Sequence, residues 1–204
     1  MAPILGVLIA YLAGSIPSAY IAGRLKGVDL RQHGSGNLGA TNVVRVLGPR
    51  IGGVVFLVDF LKGFLPTYFL PIYAETLRPD LWALAYGVAA ILGHVKPIFL
   101  LGKGGGKGVA TAGGVFMALA FVPVLISQLV WVTVFFLSRY VSLASLASAL
   151  VLPIAILFWY RNPASPVFIA SVIVASFVFW THRANIGRLR RGEEHRFVKK
   201  GTAV

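Results

Sequence analysis

Long apolar runs separated by short polar stretches make up most of the chain. The runs have roughly the 15–25 residues that a helix needs to cross the apolar core of a bilayer, whereas a barrel strand would show weaker alternation over shorter segments. The pattern predicts an all-α, polytopic integral membrane protein. It shows no internal boundary, so we expect residues 1–204 to form a single domain, with Lys199–Val204 as a disordered tail.

The apolar runs predict five single crossings and one ambiguous region. The single crossings are Pro3–Gly23, Ile51–Tyr73, Leu81–Leu101, Leu143–Trp159 and Val167–Thr181. The ambiguous region, Val109–Leu137, is long for one crossing and short for two. Pro17 is expected to kink the first span, which frees backbone carbonyls that a neighbouring helix or a polar cavity must satisfy.

Charge decides between one and two crossings in the ambiguous region. The loop Arg24–Arg50 has five cations and one acid, and the segment after Thr181 has seven cations and two acids, so the positive-inside rule places both in the cytoplasm. Because no cation precedes Arg24, we expect the N-terminus outside, which requires an odd number of crossings. Val109–Leu137 is therefore predicted to be a hairpin of two helices of about 14 residues each, turning near Val122-Pro123. The prediction is seven transmembrane helices, with the N-terminus outside and the C-terminus cytoplasmic.

Composition and charge narrow the function classes. Hydrophobic residues make up 57% of the chain, charged residues 12%, and the mean hydropathy is +0.82, which is more apolar surface than a soluble domain of this size could bury. The net charge of +13 lies between and beyond the apolar runs, so we expect anionic lipid headgroups and anionic substrates as partners, and no nucleic acid. The absence of cysteine excludes an acyl-enzyme intermediate in which the protein holds the acyl group as a thioester.

Two glycine-rich stretches on the predicted cytoplasmic side have groups that suit phosphate. The first, His33–Arg45, offers hydroxyl and amide groups and a guanidinium that can bind phosphate through two hydrogen bonds; these are Ser35, Asn37, Thr41, Asn42 and Arg45. In the second, Gly102–Thr111, glycines allow backbone N–H groups to approach phosphate oxygens beside Lys103 and Lys107. The alternatives are turn and cap residues in the first stretch and a flexible glycine turn in the second. The second stretch lacks the Walker spacing, so nucleotide hydrolysis is not expected.

A third polar stretch and one pair inside a span complete the candidate residues. His182, Asn185 and Arg188 are three residues apart in turn, so one helical surface could present an imidazole, an amide and a guanidinium. Asp59 and Lys62 share a helical face within the second span, either as a structural ion pair or as a wall of the active site. The acids are few and the histidines lack ligand spacing, so we expect no metal site.

The three stretches together resemble motifs of the bacterial membrane acyl-phosphate:glycerol-3-phosphate acyltransferases, the PlsY family. The matching residues are Ser35-Gly36-Asn37-x-Gly39-Ala40-Thr41-Asn42-x-x-Arg45, Gly105-Gly106-Lys107-Gly108-Val109-Ala110-Thr111, and His182-x-x-Asn185-Ile186-x-Arg188-Leu189 with Glu194. The likeness extends to Gly14-Ser15-Ile16-Pro17, to Asp59–Gly63 and to Gly93-His94. One departure is that Gly104 stands where the family commonly has a basic residue, with Lys103 one position earlier, which leaves open which lysine contacts which phosphate.

The resemblance implies an enzyme of the bacterial plasma (inner) membrane with its active site on the cytoplasmic side and with no cofactor. It would transfer a fatty acyl group from acyl phosphate to the 1-hydroxyl of glycerol 3-phosphate, giving lysophosphatidic acid and phosphate. Its partners would be acyl phosphate, glycerol 3-phosphate and membrane lipids, with handover from the soluble enzyme that makes acyl phosphate. The remaining alternative is a membrane transporter or binding protein for a phosphorylated solute.

The resemblance also suggests roles for the candidate residues. Charge stabilisation and orientation at the reacting phosphate are expected of Ser35, Asn37, Arg45, Lys107 and Asn185. Substrate binding is expected of Thr41, Asn42, Lys103, Gly105, Gly106, Gly108 and Arg188, with the glycines forming a cradle for glycerol 3-phosphate. Asp59, Lys62 and Glu194 are expected to be structural groups near the site, and Glu194 to pair with an arginine of the C-terminal segment. The proton of the attacking hydroxyl goes to His182 or to a substrate phosphate, and Ser35 as a nucleophile is the less favoured alternative because the donor is already activated.

Overall fold

The structure, a computed structural model, describes residues 1–197, so the predicted tail Lys199–Val204 lies outside the described residues. Its regular structure within this range is helical throughout. The helices are α1 (Pro3–Gly14), α2 (Ser18–Leu25), α3 (Ala40–Leu47), α4 (Pro49–Tyr73), α5 (Pro79–Val95), α6 (Val109–Leu119), α7 (Phe121–Ser138), α8 (Val141–Tyr160), α9 (Pro166–Thr181) and α10 (Arg183–Arg190), with a 3-10 turn at Ile98–Leu100.

Five helical segments within residues 1–197 are long and apolar enough to cross a membrane. They are Pro3–Leu25, Pro49–Tyr73, Pro79–Leu100, Phe121–Ser138 and Val141–Tyr160. A sixth results if α9 and α10, which meet at a bend of 58°, are counted as one span. The prediction of an all-α chain with several apolar spans is confirmed at this level.

The first predicted span is broken at the position where Pro17 was expected to kink it. Helix α1 ends at Gly14 and α2 begins at Ser18. The break leaves the carbonyl of Ile16 outside the helical hydrogen bonds, and Lys62 Nζ of α4 donates to it over 2.8 Å. A neighbouring helix therefore satisfies the freed carbonyl, as an apolar environment requires.

The region Val109–Leu137 divides into two helices, as predicted, but the position of the break was wrong. The chain leaves the helix at Ala120, so α6 has 11 residues and α7 has 18, in place of two similar arms. Pro123 lies in the first turn of α7, where its missing N–H costs no helical hydrogen bond, so it starts a helix here and does not turn the chain. At ~1.5 Å per residue, α6 alone is shorter than the ~30 Å apolar core.

The chain forms two compact units, one covering Met1–Phe121 and the other beginning at Val122. In the first unit, α4 packs against α6 and α5, and α1 packs against α5. Two glycines permit the closest approach of α4 and α6, because a Cβ added at Gly63 would overlap the carbonyl of Thr111 and one added at Gly114 would overlap the carbonyl of Phe60. Small residues of this kind let the backbones of membrane helices come together.

Two packing arrangements hold the polar segments of each unit in place. In the first unit, Leu30, Leu38 and Val43 are buried in a common core with Ala19 of α2 and Val55 of α4, so the first polar stretch is a packed element. In the second unit, α8 packs against α9, and α10 contacts both. Each unit therefore presents its polar residues from a fixed helical framework.

Candidate active site

Asn42 determines the conformation of the first polar stretch. Its side chain is about 1% exposed; Oδ1 accepts from the N–H of Ser35 over 2.8 Å, and Nδ2 donates to the carbonyls of Leu30 and His33 over 3.1 and 3.0 Å. Gly34, at a φ of +62°, lies so close that an added Cβ would overlap Oδ1. Both amide hydrogens of Asn42 are thus used to hold the loop, a role that the sequence suggested only as the turn-and-cap alternative.

An ion pair organises the segment that leads into this loop. The Asp29 carboxylate accepts from Nε and Nη2 of Arg31 over 2.9 and 2.7 Å and from the backbone N–H of Arg31 over 3.0 Å. The side-chain hydrogen bond from Arg31 lowers the pKa of the Asp29 carboxyl to about 2. The carbonyl of Asp29 also accepts from His33 Nδ1 over 2.9 Å. The backbone is therefore held on both sides of the turn.

The remaining candidates of the first stretch lie around this turn and on α3. Ser35 is exposed on the turn, while Asn37, Thr41 and Arg45 are partly buried. Thr41 lies in the first turn of α3 and Arg45 in its last. The stretch thus presents a hydroxyl, an amide and a guanidinium within one short loop and helix.

The second polar stretch turns sharply at its glycines and packs against the first. Gly104 and Gly108 have φ of +73° and +82°, a backbone conformation that favours glycine, and Gly108 leads directly into α6. A Cβ built on Gly104 would lie 3.4 Å from Cδ1 of Leu38, and one built on Gly106 would lie 3.1 Å from the Leu38 carbonyl. The structure therefore brings the first and second stretches together. Lys107 is partly buried and Lys103 is exposed.

A small cleft lies beneath the second stretch, within the first unit. Its walls include Gly104–Gly106, the helix break at Ile16–Ala19, Leu38 and the buried side chains of Asp59, Lys62 and His94. The two interpretations of Asp59 and Lys62 are compatible, because these residues form an ion pair of 2.7 Å and also line the cleft.

Sequence reasoning missed two polar members of this cleft as site residues. Ser18 donates its hydroxyl to Asp59 Oδ1 over 2.6 Å, and His94 Nδ1 lies 3.6 Å from the same oxygen. The available signals were a serine directly after Pro17 and a histidine in an otherwise apolar span. Neither signal indicates which helix supplies the partner, so the cluster could not be assembled from spacing alone.

The third polar stretch belongs to the second unit, and its histidine lies at a bend. His182 follows α9 and precedes α10, so the expectation that it shares one helical surface with Asn185 and Arg188 was wrong. His182 is buried, and its Nδ1 lies 2.8 Å from the carbonyl of Val178. A carbonyl only accepts, so Nδ1 carries the hydrogen and Nε2 is the basic nitrogen of the neutral ring.

Glu194 connects two polar residues of α10, Asn185 and Arg188, to α8. Its Oε1 accepts from Asn185 Nδ2 over 2.6 Å and from Ser142 Oγ over 2.9 Å, and its Oε2 accepts from Arg188 Nε over 2.7 Å. Burial alone would raise the pKa of the Glu194 carboxyl, but the hydrogen bonds from Asn185, Arg188 and Ser142 outweigh it and lower that pKa below its ordinary value. The pairing of Glu194 with an arginine of the C-terminal segment is confirmed.

The metal-ligating side chains of residues 1–197 do not gather into any group of three or more His, Asp or Glu. The three polar stretches offer amides, hydroxyls, cations and glycine backbone. Such groups bind and orient anions and stabilise charge that develops on oxygen.

Comparison with known proteins identifies the family. A model of the glycerol-3-phosphate acyltransferase family matches residues 4–192. The glycerol-3-phosphate acyltransferases of Aquifex aeolicus (strain VF5) and Geotalea daltonii are 46% and 43% identical over 192 and 194 residues, which cover 94% and 95% of this chain and 97% and 96% of those proteins.

Solved structures agree with the sequence matches. A crystal structure of PlsY, an integral membrane glycerol 3-phosphate acyltransferase, in its glycerol 3-phosphate form has a TM-score of 0.87 at 43% identity and covers 96% of both chains. The lysophosphatidic acid form of PlsY has a TM-score of 0.82 at 42% identity, covering 96% of this chain and 95% of that one. On these grounds the chain belongs to the glycerol-3-phosphate acyltransferase family.

Proposed function

We propose that this protein transfers a fatty acyl group to the 1-hydroxyl of glycerol 3-phosphate and releases lysophosphatidic acid. The observation that carries the proposal is the pair of PlsY structures, which are named for glycerol 3-phosphate and for lysophosphatidic acid. These two molecules differ by one acyl group on a hydroxyl, so they are the acceptor and the product of acyl transfer. The family model matches residues 4–192, a range that contains His33–Arg45, Gly102–Thr111 and His182–Leu189.

The proposed donor is acyl phosphate. It is a mixed anhydride, so its acyl carbon is already activated and the protein needs only to position the reactants and stabilise charge. The chain has no cysteine to hold an acyl group as a thioester. Both substrates would then carry phosphate, in keeping with two adjoining phosphate-adapted stretches in the first unit.

In the proposed reaction, the oxygen of the 1-hydroxyl bonds to the acyl carbon, and the bond between that carbon and the bridging oxygen of the anhydride breaks. Inorganic phosphate leaves with the bonding electrons. Arg45, Lys107 and Ser35 would stabilise the phosphate charge, while Asn37 and Asn185 would orient the reactants. The hydroxyl proton goes to the leaving phosphate or to His182 Nε2, the nitrogen that carries the lone pair in the neutral ring.

The remaining candidates have supporting roles in this proposal. Substrate-binding roles are proposed for Thr41, Lys103, Gly105, Gly106, Gly108 and Arg188. Asn42 acts through the loop that it holds. Its two amide hydrogens already serve backbone carbonyls, so its contribution to phosphate binding is the position of the Ser35 turn.

The deciding experiment mixes the purified protein with acyl phosphate and glycerol 3-phosphate and follows phosphate release. We expect phosphate release that requires both substrates and yields lysophosphatidic acid, and no lysophosphatidic acid when acyl-coenzyme A replaces acyl phosphate. No product from active substrate stocks would end the proposal. Product from acyl-coenzyme A alone would overturn the choice of donor and leave acyl transfer standing.

The proposal includes a topology of seven crossings in one domain, in the bacterial plasma membrane, with the N-terminus outside and the active site cytoplasmic. Helices α6 and α7 would be the two arms of a hairpin, with membrane thinning or tilt absorbing the shortness of α6. Because the chain has no cysteine, one introduced at Val122 is a unique label. It should react with an impermeant maleimide from outside, and reaction from the cytoplasm would overturn this topology. A cytoplasmic site would also permit handover of acyl phosphate from the soluble enzyme that makes it.

A further inference from the structure

Four polar side chains lie beneath the glycine loop Gly104–Gly106, three of them buried and the fourth, Ser18, half-buried. Asp59 accepts from Ser18 and Lys62 over 2.6 and 2.7 Å, and His94 Nδ1 lies 3.6 Å from the same Asp59 oxygen. We call Ser18, Asp59, Lys62 and His94 the buried cluster. It joins α2, α4 and α5 at one point in the first unit and forms the floor of the cleft that the loop covers.

A contribution to the stability of the fold does not by itself explain the buried cluster. Removing two charges from water costs several kcal/mol per ion, and well-packed apolar residues often stabilise a core equally well. Lys62 recovers part of that cost by donating to the carbonyl of Ile16 at the helix break, which also accepts from the N–H of Ser18. Asp59 has no such backbone task, and ionisable groups inside a membrane span are functional candidates by default.

His94 is the member that reaches the loop. Its side chain is about 6% exposed, and its Nδ1, which faces Asp59, has no hydrogen-bond partner within residues 1–197. Nε2, on the opposite side of the ring, faces Gly106 so closely that a Cβ added there would overlap it. The imidazole therefore stands between the Asp59 carboxylate and the loop backbone.

The contacts of the loop on its other side are backbone and apolar groups. Gly105 packs against the carbonyl of Val95, and Gly104 and Gly106 face Leu38. The loop is thus held between Leu38 of the first polar stretch and the imidazole of His94. Among the groups around the loop, the imidazole is the one that lies beside the Asp59 carboxylate, at 3.6 Å.

We propose that His94 is a positioning residue, oriented by Asp59, which fixes Gly104–Gly106 in the conformation that receives the phosphate of glycerol 3-phosphate. This role rests on the function proposed above. It predicts a specific kinetic pattern, because a misplaced loop weakens the binding of one substrate and leaves the chemistry of the other in place.

The kinetic test compares His94→Leu, His94→Gln and Asp59→Asn with Tyr86→Phe. Tyr86 is a matched control, because it is another fully buried polar residue of α5 whose hydroxyl lacks a partner within residues 1–197, and it lies in the core between α1 and α5. We expect His94→Leu to raise the KM for glycerol 3-phosphate about tenfold, with kcat and the KM for acyl phosphate changing by less than about threefold. His94→Gln should recover part of the loss, because its amide can still bridge the carboxylate and the loop, and Asp59→Asn should resemble His94→Leu in milder form.

Equal changes in the KM of both substrates, a fall in kcat alone, or kinetics indistinguishable from those of Tyr86→Phe would overturn the positioning role. If His94→Leu does not fold, His94→Gln and Asp59→Asn still decide between these outcomes.

A second readout separates this inference from the proposed function. Amide hydrogen exchange of the detergent-solubilised protein should be faster in Pro97–Gly108 for His94→Leu than for wild type, with the loop Asp29–Arg45 unchanged. Unchanged exchange in Pro97–Gly108 would overturn the positioning role even in an active enzyme. A wild-type protein that releases no phosphate would overturn the proposed function, while the exchange result would still report on the loop.

Discussion

Substitution of Glu194 should destabilise the second unit. Its carboxylate accepts three hydrogen bonds, from Asn185 and Arg188 on α10 and from Ser142 on α8. Glu194→Gln keeps the shape and one accepting oxygen, which can still serve Asn185 and Ser142. It replaces the second oxygen with an NH₂ group. This group is a hydrogen-bond donor, as is the Arg188 guanidinium, so the two cannot form a hydrogen bond.

The size of the effect follows from what is lost. A hydrogen bond to a charged group contributes about 1.5–3 kcal/mol. The Arg188 side chain is 29% exposed while that of Glu194 is 2% exposed, so water can partly replace the lost contact on the arginine side. We therefore expect a cost at the low end of that range, ~1.5–2 kcal/mol, for Glu194→Gln. Glu194→Ala should cost ~3 kcal/mol or more, because it also removes the hydrogen bonds that Asn185 and Ser142 donate to this carboxylate.

Two measurements test this estimate. Thermal unfolding in detergent should show a lower midpoint for Glu194→Gln and a still lower one for Glu194→Ala. Glu194→Ala, which removes the acceptor of Asn185 Nδ2, should also lower kcat, by a factor of ten for each ~1.4 kcal/mol of transition-state stabilisation that is lost with the orientation of Asn185. Glu193→Gln is the matched control, because the neighbouring acid pairs with Arg191 at the surface, with side chains 56% and 61% exposed. Equal behaviour of the Gln variants at 193 and 194 would refute the reasoning.

The pH dependence gives an independent check. The pKa of Glu194 is lower in the folded protein than its ordinary value of 4.5, so its contribution to stability is complete above that value and is lost as pH falls through the lower, folded pKa. The stability difference between wild type and Glu194→Gln should stay constant from about pH 8 to about pH 5 and shrink only below that. A difference that already fades near pH 7 would contradict the assignment to this carboxyl.

Three further substitutions probe the first unit. Gly106→Ala should raise the KM for glycerol 3-phosphate with a smaller effect on kcat, because its Cβ would overlap His94 Nε2. In the double variant Gly106→Ala with His94→Ala, the increase in KM should be smaller than the product of the increases in the two single variants. Arg45→Ala should remove most phosphate release and Arg45→Lys should restore only part of it, since an ammonium cannot bind phosphate through a planar fork; full activity of the alanine variant would contradict a phosphate role. Gly114→Ala should lower the unfolding midpoint by an overpacking cost of ~1–3 kcal/mol, whereas Gly53→Ala on α4, whose Cβ would meet nothing within 4 Å, should not; equal midpoints would argue against the close α4 to α6 contact.

The helical framework could be predicted because membrane spans are set by apolar length, a local property. The predicted span Ile51–Tyr73 ends at the same residue as α4 (Pro49–Tyr73) and begins two residues later. The predicted span Leu143–Trp159 lies within α8 (Val141–Tyr160). Apolar length says little about where a helix breaks inside a long apolar region. The break at Ala120 has no proline or charge to mark it, which is why the turn was misplaced toward Pro123.

The residue types of the candidate site could also be predicted, but their partners could not. Asn42 and Asn185 have the same side chain in comparable polar stretches, and the sequence assigned both to the substrate. In the structure the hydrogen bonds of Asn42 go to the loop before α3, and Asn185 is held by Glu194, nine residues further along the chain. Such assignments depend on which groups packing brings within 3 Å, and spacing along one helix does not contain that information.

The buried cluster is a further case in which the sequence does not show which side chains are partners, here over larger separations along the chain. Ser18, Asp59 and His94 are separated by 41 and 35 positions, so no local pattern joins them. The demand that every buried charge find a partner does join them, because Asp59 in an apolar span requires donors from neighbouring helices. In the structure Ser18 and Lys62 donate to Asp59, and His94, which precedes the glycine loop, lies beside the same carboxylate oxygen. A buried charge in one span must be compensated by polar groups of neighbouring helices. This requirement connects residues that are distant in the sequence into one site.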